Sequence, residues 1–156
     1  MGLKDEPFVV IDTVSVVGNI YGSGGDLIFL EPNDPTTVAT VDVCVKQPEK
    51  TQVCIDSMVQ FAVGGTGGVG SDVTFQVLYE IHRNGDVIAR INDEMDFELA
   101  GGRGQTNFPN FPVVDNDPIG GINTYDLVCT RDTTNENAVA VINAASRSLK
   151  ATVITL

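Results

Sequence analysis

The chain has 156 residues, 21 of them acidic and 9 basic, for a formal net charge of −12, and 42% are hydrophobic. A surface of that sign repels phosphate backbones and anionic headgroups, which argues against nucleic acid and acidic membranes as partners. The apolar content is enough for one packed domain, but its runs are short and broken by Gly, Asp or Thr, so no membrane insertion is expected.

The N-terminus, Met-Gly-Leu-Lys-Asp-Glu-Pro, places acids where a secretory leader needs a basic start and an apolar stretch. Glu6 also occupies the position at which a myristoylation site requires Ser or Thr. Residues 7–17 are rich in β-branched side chains and predict a strand. Gly18, Gly22, Gly24 and Gly25 follow within "GNIYGSGG", a hinge-like linker. Residues 26–30 form a short apolar piece that ends at the turn cluster Glu31-Pro32-Asn33-Asp34-Pro35.

From Thr36 the alternation is regular. Val41, Val43 and Val45 face one way, with Thr40, Asp42, Cys44 and Lys46 the other. Past the turn at Gln47-Pro48-Glu49-Lys50, Val53, Ile55, Val59 and Phe61 continue on the next strand, with a register break expected at Asp56-Ser57. Gly65, Gly67 and Gly70 then spell a literal G-x-G-x-x-G. A dinucleotide loop needs a helix next, whose N-terminal amides face the phosphates. Instead Val73, Phe75, Val77, Tyr79 and Ile81 recur at every second position, and Arg83-Asn84-Gly85-Asp86 is a type I′ hairpin signal. The glycines therefore read as a loop between strands.

Residues 87–91 predict the returning strand and residues 95–99 a further one. Residues 100–121, rich in Gly, Pro and Asn, predict a long loop. Strand character returns at residues 122–129, again over the apolar residues 138–144, and finally along residues 148–156. Nine or ten short strands with no capped helix predict an all-β antiparallel sandwich, with long connections of the Greek-key or jelly-roll kind.

The strings "VCIDSMVQFAVGG", "VTFQVLYEIHRNGDVI", "TNFPNFPVVD", "NTYDLVC" and "NAASRSLKATVI" resemble the small jelly-roll proteins of endospore-forming bacteria. That group is similar to the tumour-necrosis-factor-like C-terminal domain of exosporium collagen-like glycoproteins and includes endospore appendage fibre subunits. The resemblance spans residues 38–156. It implies a jelly-roll fold, a structural and non-enzymatic role, and a place outside the cell or on the spore surface, reached without a signal peptide. It also implies copies of the chain itself as partners, in a homopolymer or a trimer, and a spore-surface anchor protein. There is no collagen-like repeat, and every cysteine lies beyond residue 40.

Residues 1–35 then form an N-terminal extension and residues 36–156 the jelly-roll domain. A strand on a glycine hinge can pair with a neighbour, inserting Phe8, Val9, Val10, Ile11, Val14, Val16 and Val17 as a donor strand. It can equally be the first strand of its own sandwich, and the sequence leaves both arrangements open. Such a head-to-tail contact, if it does not close, builds a filament. A discrete trimeric module for carbohydrate binding or adhesion is the alternative reading.

Cys44, Cys54 and Cys129 make an odd set. Cys44 and Cys54 flank the turn at residues 47–50 and are a candidate disulfide, with buried thiols as the plainer reading. Zinc lacks a C-x-x-C pair and a second histidine. His82, the sole histidine, sits on the polar side of a strand, no G-x-S-x-G elbow exists, and neither a catalytic site nor a cofactor is expected. No Trp and only Tyr21, Tyr79 and Tyr125 are present to stack sugars. Asn92, Asp93, Glu94 and Asp96, and separately Asp115, Asn116 and Asp117, group oxygens that calcium could use, although neither is an EF-hand loop and solvated turns explain both.

Overall fold

The computed structural model of the chain describes residues 8–19, 26–100 and 104–155. Ten strands run in the order β1 Phe8–Val16, β2 Ile28–Phe29, β3 Thr36–Val45, β4 Thr51–Gly65, β5 Asp72–Arg83, β6 Asp86–Glu98, β7 Gln105–Asn107, β8 Val113–Asp115, β9 Gly121–Arg131 and β10 Val139–Thr155. A 3-10 turn, Pro48–Lys50, separates β3 from β4.

Sheet A has the order β1-β10-β4-β7, with β2 also on β10 and β8 also on β4. Sheet B has the order β3-β9-β5-β6. All named pairings are antiparallel. The chain crosses between the sheets at β2–β3, β3–β4, β4–β5, β6–β7, β8–β9 and β9–β10, so it winds around the sandwich, and this strand order is that of a jelly roll. The alternation read from sequence supplies the core: Val41, Val43 and Val45 of β3 meet Val53, Ile55 and Phe61 of β4 and Phe75, Tyr79 and Ile81 of β5, all buried.

The hairpin forms as the sequence predicts. Asn84 and Gly85 take φ of 51° and 91°, the left-handed region that a type I′ turn requires. Gly65, Gly67 and Gly70 join β4 to β5 with no helix after them, so no dinucleotide site forms there.

Several boundaries differ from expectation. Residues 87–91 and 95–99 belong to one 13-residue strand, β6, which ends at Glu98. Residues 138–144 and 148–156 are largely one 17-residue strand, β10, kept continuous by register shifts at Val139/Val141 and Ala144/Arg147. The break expected at Asp56-Ser57 is absent. Ser57 stays in the inward register, where its hydroxyl donates to the Phe111 carbonyl at 3.1 Å. The long segment after β6 lies along β4 and pairs with it through β7 and β8.

Candidate assembly surfaces

β1 is an edge strand. It pairs with β10 of its own chain over nine positions, from Phe8↔Thr155 to Val16↔Arg147. Val14 packs against the core. Ile11 lies in the opposite phase, 56% exposed on the outer face, and Val17, past the strand, is 84% exposed. Ile11 and Val17 therefore fill no inner pocket in this arrangement, and the side chains of Phe8, Val9 and Val10 lie outside the described residues.

The hinge glycines divide in the same way. Gly22, Gly24 and Gly25 lie outside the described residues. Gly18 is tied to β10: its amide donates to Ser146 Oγ at 3.2 Å, and that hydroxyl donates to the Gly18 carbonyl at 3.1 Å. A Cβ at this position would lie 2.8 Å from the Ala145 carbonyl carbon, so the close approach itself requires glycine. Gly18 acts here as a clamp.

Two carboxylates on edge strands lie in the inward register. Asp12 of β1 is paired with the buried Ala151, and its Oδ2 accepts the Asp42 amide of β3 at 3.1 Å. Asp93 of β6 sits opposite the buried Val77 and accepts from Asn107 Nδ2 of β7 at 2.9 Å. Burial pushes the Asp93 carboxyl above its ordinary range, and the Asn107 bond offsets this only in part. Inward charges on edge strands oppose further strand addition, because a flat extension of the sheet would bury them. Sequence reasoning missed both, having weighed Asp93 as an ion ligand; the available signal was a carboxylate in an otherwise apolar phase.

Two further polar clusters satisfy themselves. Asp115 accepts from Arg83 Nη1 with both oxygens at 2.9 Å, from the Tyr125 hydroxyl at 2.8 Å and from the Asp117 amide at 3.1 Å. Burial, together with the hydrogen bond and charge of Asp115, raises the Tyr125 phenol above its ordinary value. On the outer face of sheet B, Glu80 holds His82 Nε2 at 3.0 Å and pairs with Arg90. Burial pushes Glu80 up, but the bonds from His82 and Arg90 outweigh it and leave this carboxyl below its usual range.

The grouped calcium oxygens do not converge: Asp93 points inward, whereas Asn92, Glu94 and Asp96 are exposed, and Asp115 is committed to Arg83 and Tyr125. No metal-competent group of His, Cys, Asp or Glu occurs among the described residues. The candidate disulfide between Cys44 and Cys54 is not formed in this arrangement. The turn at residues 47–50 is a crossover between sheets, so Cys44 ends exposed on sheet B and Cys54 half-buried on sheet A, and all three thiols are free.

A depression of about 220 Å³ opens where Gly64 of β4, Gln105 and Thr106 of β7 and Asn143 of β10 meet. Phe29, 43% exposed, pairs with Asn143.

No family model and no curated protein matches the chain. Among solved structures, it is similar to dimeric latent PorU from Porphyromonas gingivalis, with 10% identity over 96% of this chain and 13% of that one, TM-score 0.49. It is also similar to T=1 particles derived from infectious bursal virus, with 17% identity over 97% of this chain and 32% of that one, TM-score 0.46. A third is the infectious bursal disease virus VP2 subviral particle, with 14% identity over 97% and 33%, TM-score 0.44. The chain spans a third or less of the length of each. None of the three is described as a spore-surface protein, and likenesses this weak carry no argument about function. The jelly-roll assignment rests on the strand order itself.

Proposed function

We propose that the chain is a non-catalytic structural subunit that assembles with copies of itself into a fibre outside the cell or on the spore surface. In this reading β1 of one copy lies on β10 of the next, and an anchor protein ties the fibre to the spore. The observation that carries it is the docking of β1: an edge strand bonded along one side, followed by glycine-rich residues 18–25. A second copy offers the same nine partners on β10, so exchange replaces every main-chain bond with an identical one. If the exchange is not reciprocated, the contact propagates. The guards at Asp12 and Asp93 oppose growth by simple addition at the β1 and β6 edges.

The register supplies the test. Ile11 and Thr152 are cross-strand partners, close enough in an antiparallel pair for a disulfide. In a full-length chain carrying Ile11→Cys and Thr152→Cys, with Cys44 and Cys54 changed to Ser, oxidation is expected to give a ladder of multiples on a non-reducing gel. Negative-stain microscopy of the wild-type chain is expected to show uniform filaments. Quantitative closure within single chains, with compact particles under the microscope, would overturn the reading in favour of a discrete surface module.

A further inference from the structure

We infer that the outer face of sheet A is a second self-association surface, on which two copies pack face to face about a two-fold axis. The charge is divided unequally between the two faces of the sandwich. On sheet B the outward positions carry Asp42, Asp72, Glu80, Glu94, Asp96 and Glu98, among others. On sheet A the outward positions of β1, β10, β4 and β8 carry one ion pair among the described residues, Lys150 Nζ to Asp56 Oδ2 at 3.8 Å.

The rest of that face is apolar or neutral. One row runs Ile11, Thr152, Cys54, Val114 across four strands, by direct register. Ile11 and Val114 are 56% and 51% exposed. The next row along β10 in this phase holds Lys150 and Asp56, and the one beyond it Ser15, Ser148 and Met58.

The charge pattern selects the occupant. Two copies of a chain at −12 repel each other over most approaches, and this face is the approach that brings the fewest like charges together. A charged partner would find little to recognise on it, whereas a copy is complementary: the two-fold lets each exposed Lys150 face the partner's Asp56. The area is sufficient. At the usual spacings β10 and β4 each present about 35 Å of this face and β1 about 30 Å, with β8, β7 and β2 adding short pieces at the ends. That is roughly 600 Å² per copy and 1,200 Å² in all, at the lower end of the range of stable interfaces.

The inference rests on the self-assembly reading only in taking a copy as occupant. It does not need strand exchange, since an exchanged β1 would present Ile11 at the same place. The test uses the full-length chain and follows maleimide labelling of Cys54 and Cys44 against protein concentration, with Cys129 buried and silent. Labelling of Cys54 is expected to be lost as concentration rises, while exposed Cys44 on sheet B labels at a constant rate. Thr152→Glu, or Ser148→Glu should the first fail to fold by circular dichroism, is expected to restore Cys54 labelling. Asn92→Glu on sheet B should leave the protection intact. Cys54 labelling independent of concentration, protection of Cys44 instead, or protection that survives the folded glutamate variant would each overturn the proposal. Strand exchange leaves the surroundings of Cys54 unchanged, so its failure would show in the Ile11/Thr152 ladder and not here.

Discussion

Gly18→Ala is the sharpest perturbation of the clamp that holds β1. The added methyl would meet the Ala145 carbonyl carbon at 2.8 Å, its Cα at 3.0 Å and the Ser146 amide nitrogen at 3.1 Å. All three are main-chain atoms of β10 and cannot rotate away, so either β10 shifts or the end of β1 lifts, taking with it the two Gly18–Ser146 hydrogen bonds. Overpacking of this kind costs about 1–3 kcal/mol. The cost falls on the docking of one edge strand, and at 1.4 kcal/mol per factor of ten it raises the released population roughly 5- to 150-fold. Native-state hydrogen exchange reads that change directly. The amides of Asp12, Val14 and Val16 should lose protection by that factor, while those of Val59 and Val77 in the core strands hold theirs. If strand release precedes exchange between copies, the initial rate of filament growth rises in the same proportion. Unchanged protection along β1, or equal loss at Val59 and Val77, would refute the reasoning.

Three further outcomes follow from the polar clusters. Asp115→Ala takes the partner from the buried Tyr125 hydroxyl and the carboxylate from Arg83, which still donates to the Asp117 carbonyl at 2.6 Å; with the Arg83 side chain also 20% exposed, the cost should fall at the low end of a broken buried pair, about 3 kcal/mol. Urea titration should show it, along with a fall in Tm of roughly 6–12 °C, and a loss under about 1 kcal/mol would mean the network is idle. Glu80 has its folded-state pKa lowered, so its contribution is present above the unfolded carboxyl value and is lost as pH falls through the folded one; Glu80→Gln should flatten the acid limb of the stability profile and lower stability at neutral pH. Asp93 has the opposite sign: its carboxyl favours folding when protonated and opposes it as pH rises, so Asp93→Asn should stabilise the chain at pH 7, with the gain shrinking toward acid pH in denaturant melts.

What was legible in the sequence is what two-residue periodicity can encode. The phase of Val41, Val43 and Val45, and that of Val73 through Ile81, fixed the inward faces, and Asn84-Gly85 fixed the hairpin. Phase does not say which sheet a strand joins. Residues 36–46 and 51–65 therefore read as hairpin neighbours, and Cys44 and Cys54 as a pair, although the turn between them crosses the sandwich. The short strands β7 and β8 carry no pattern of their own; they are strands because the free edge of β4 offers bonds. The continuity of β10 rests on two register shifts that absorb the extra residues, and nothing in residues 138–156 announces them. Of the assembly surfaces, β1 was visible as an apolar run, but the neutral face of sheet A became visible only when Ile11, Thr152, Cys54 and Val114 were brought into one row from four separate parts of the chain.

The two proposed contacts differ in symmetry and in physical origin, and salt tests the second. Strand exchange is head to tail: it extends a chain of subunits, and its nine-residue ladder of main-chain bonds is the same in cis and in trans. Face pairing is isologous and closes on itself, so it can join two such chains without lengthening either. It must also hold two bodies of charge −12 side by side, with the repulsion coming from loops and edges around a neutral patch. That repulsion is screened beyond about 10 Å at 0.1 M salt and about 3 Å at 1 M. Raising salt across this range is therefore expected to move the loss of Cys54 labelling to lower protein concentration. A Cys54 protection that weakened with salt would mean that ion pairs hold the face, and the argument from its neutrality would fail.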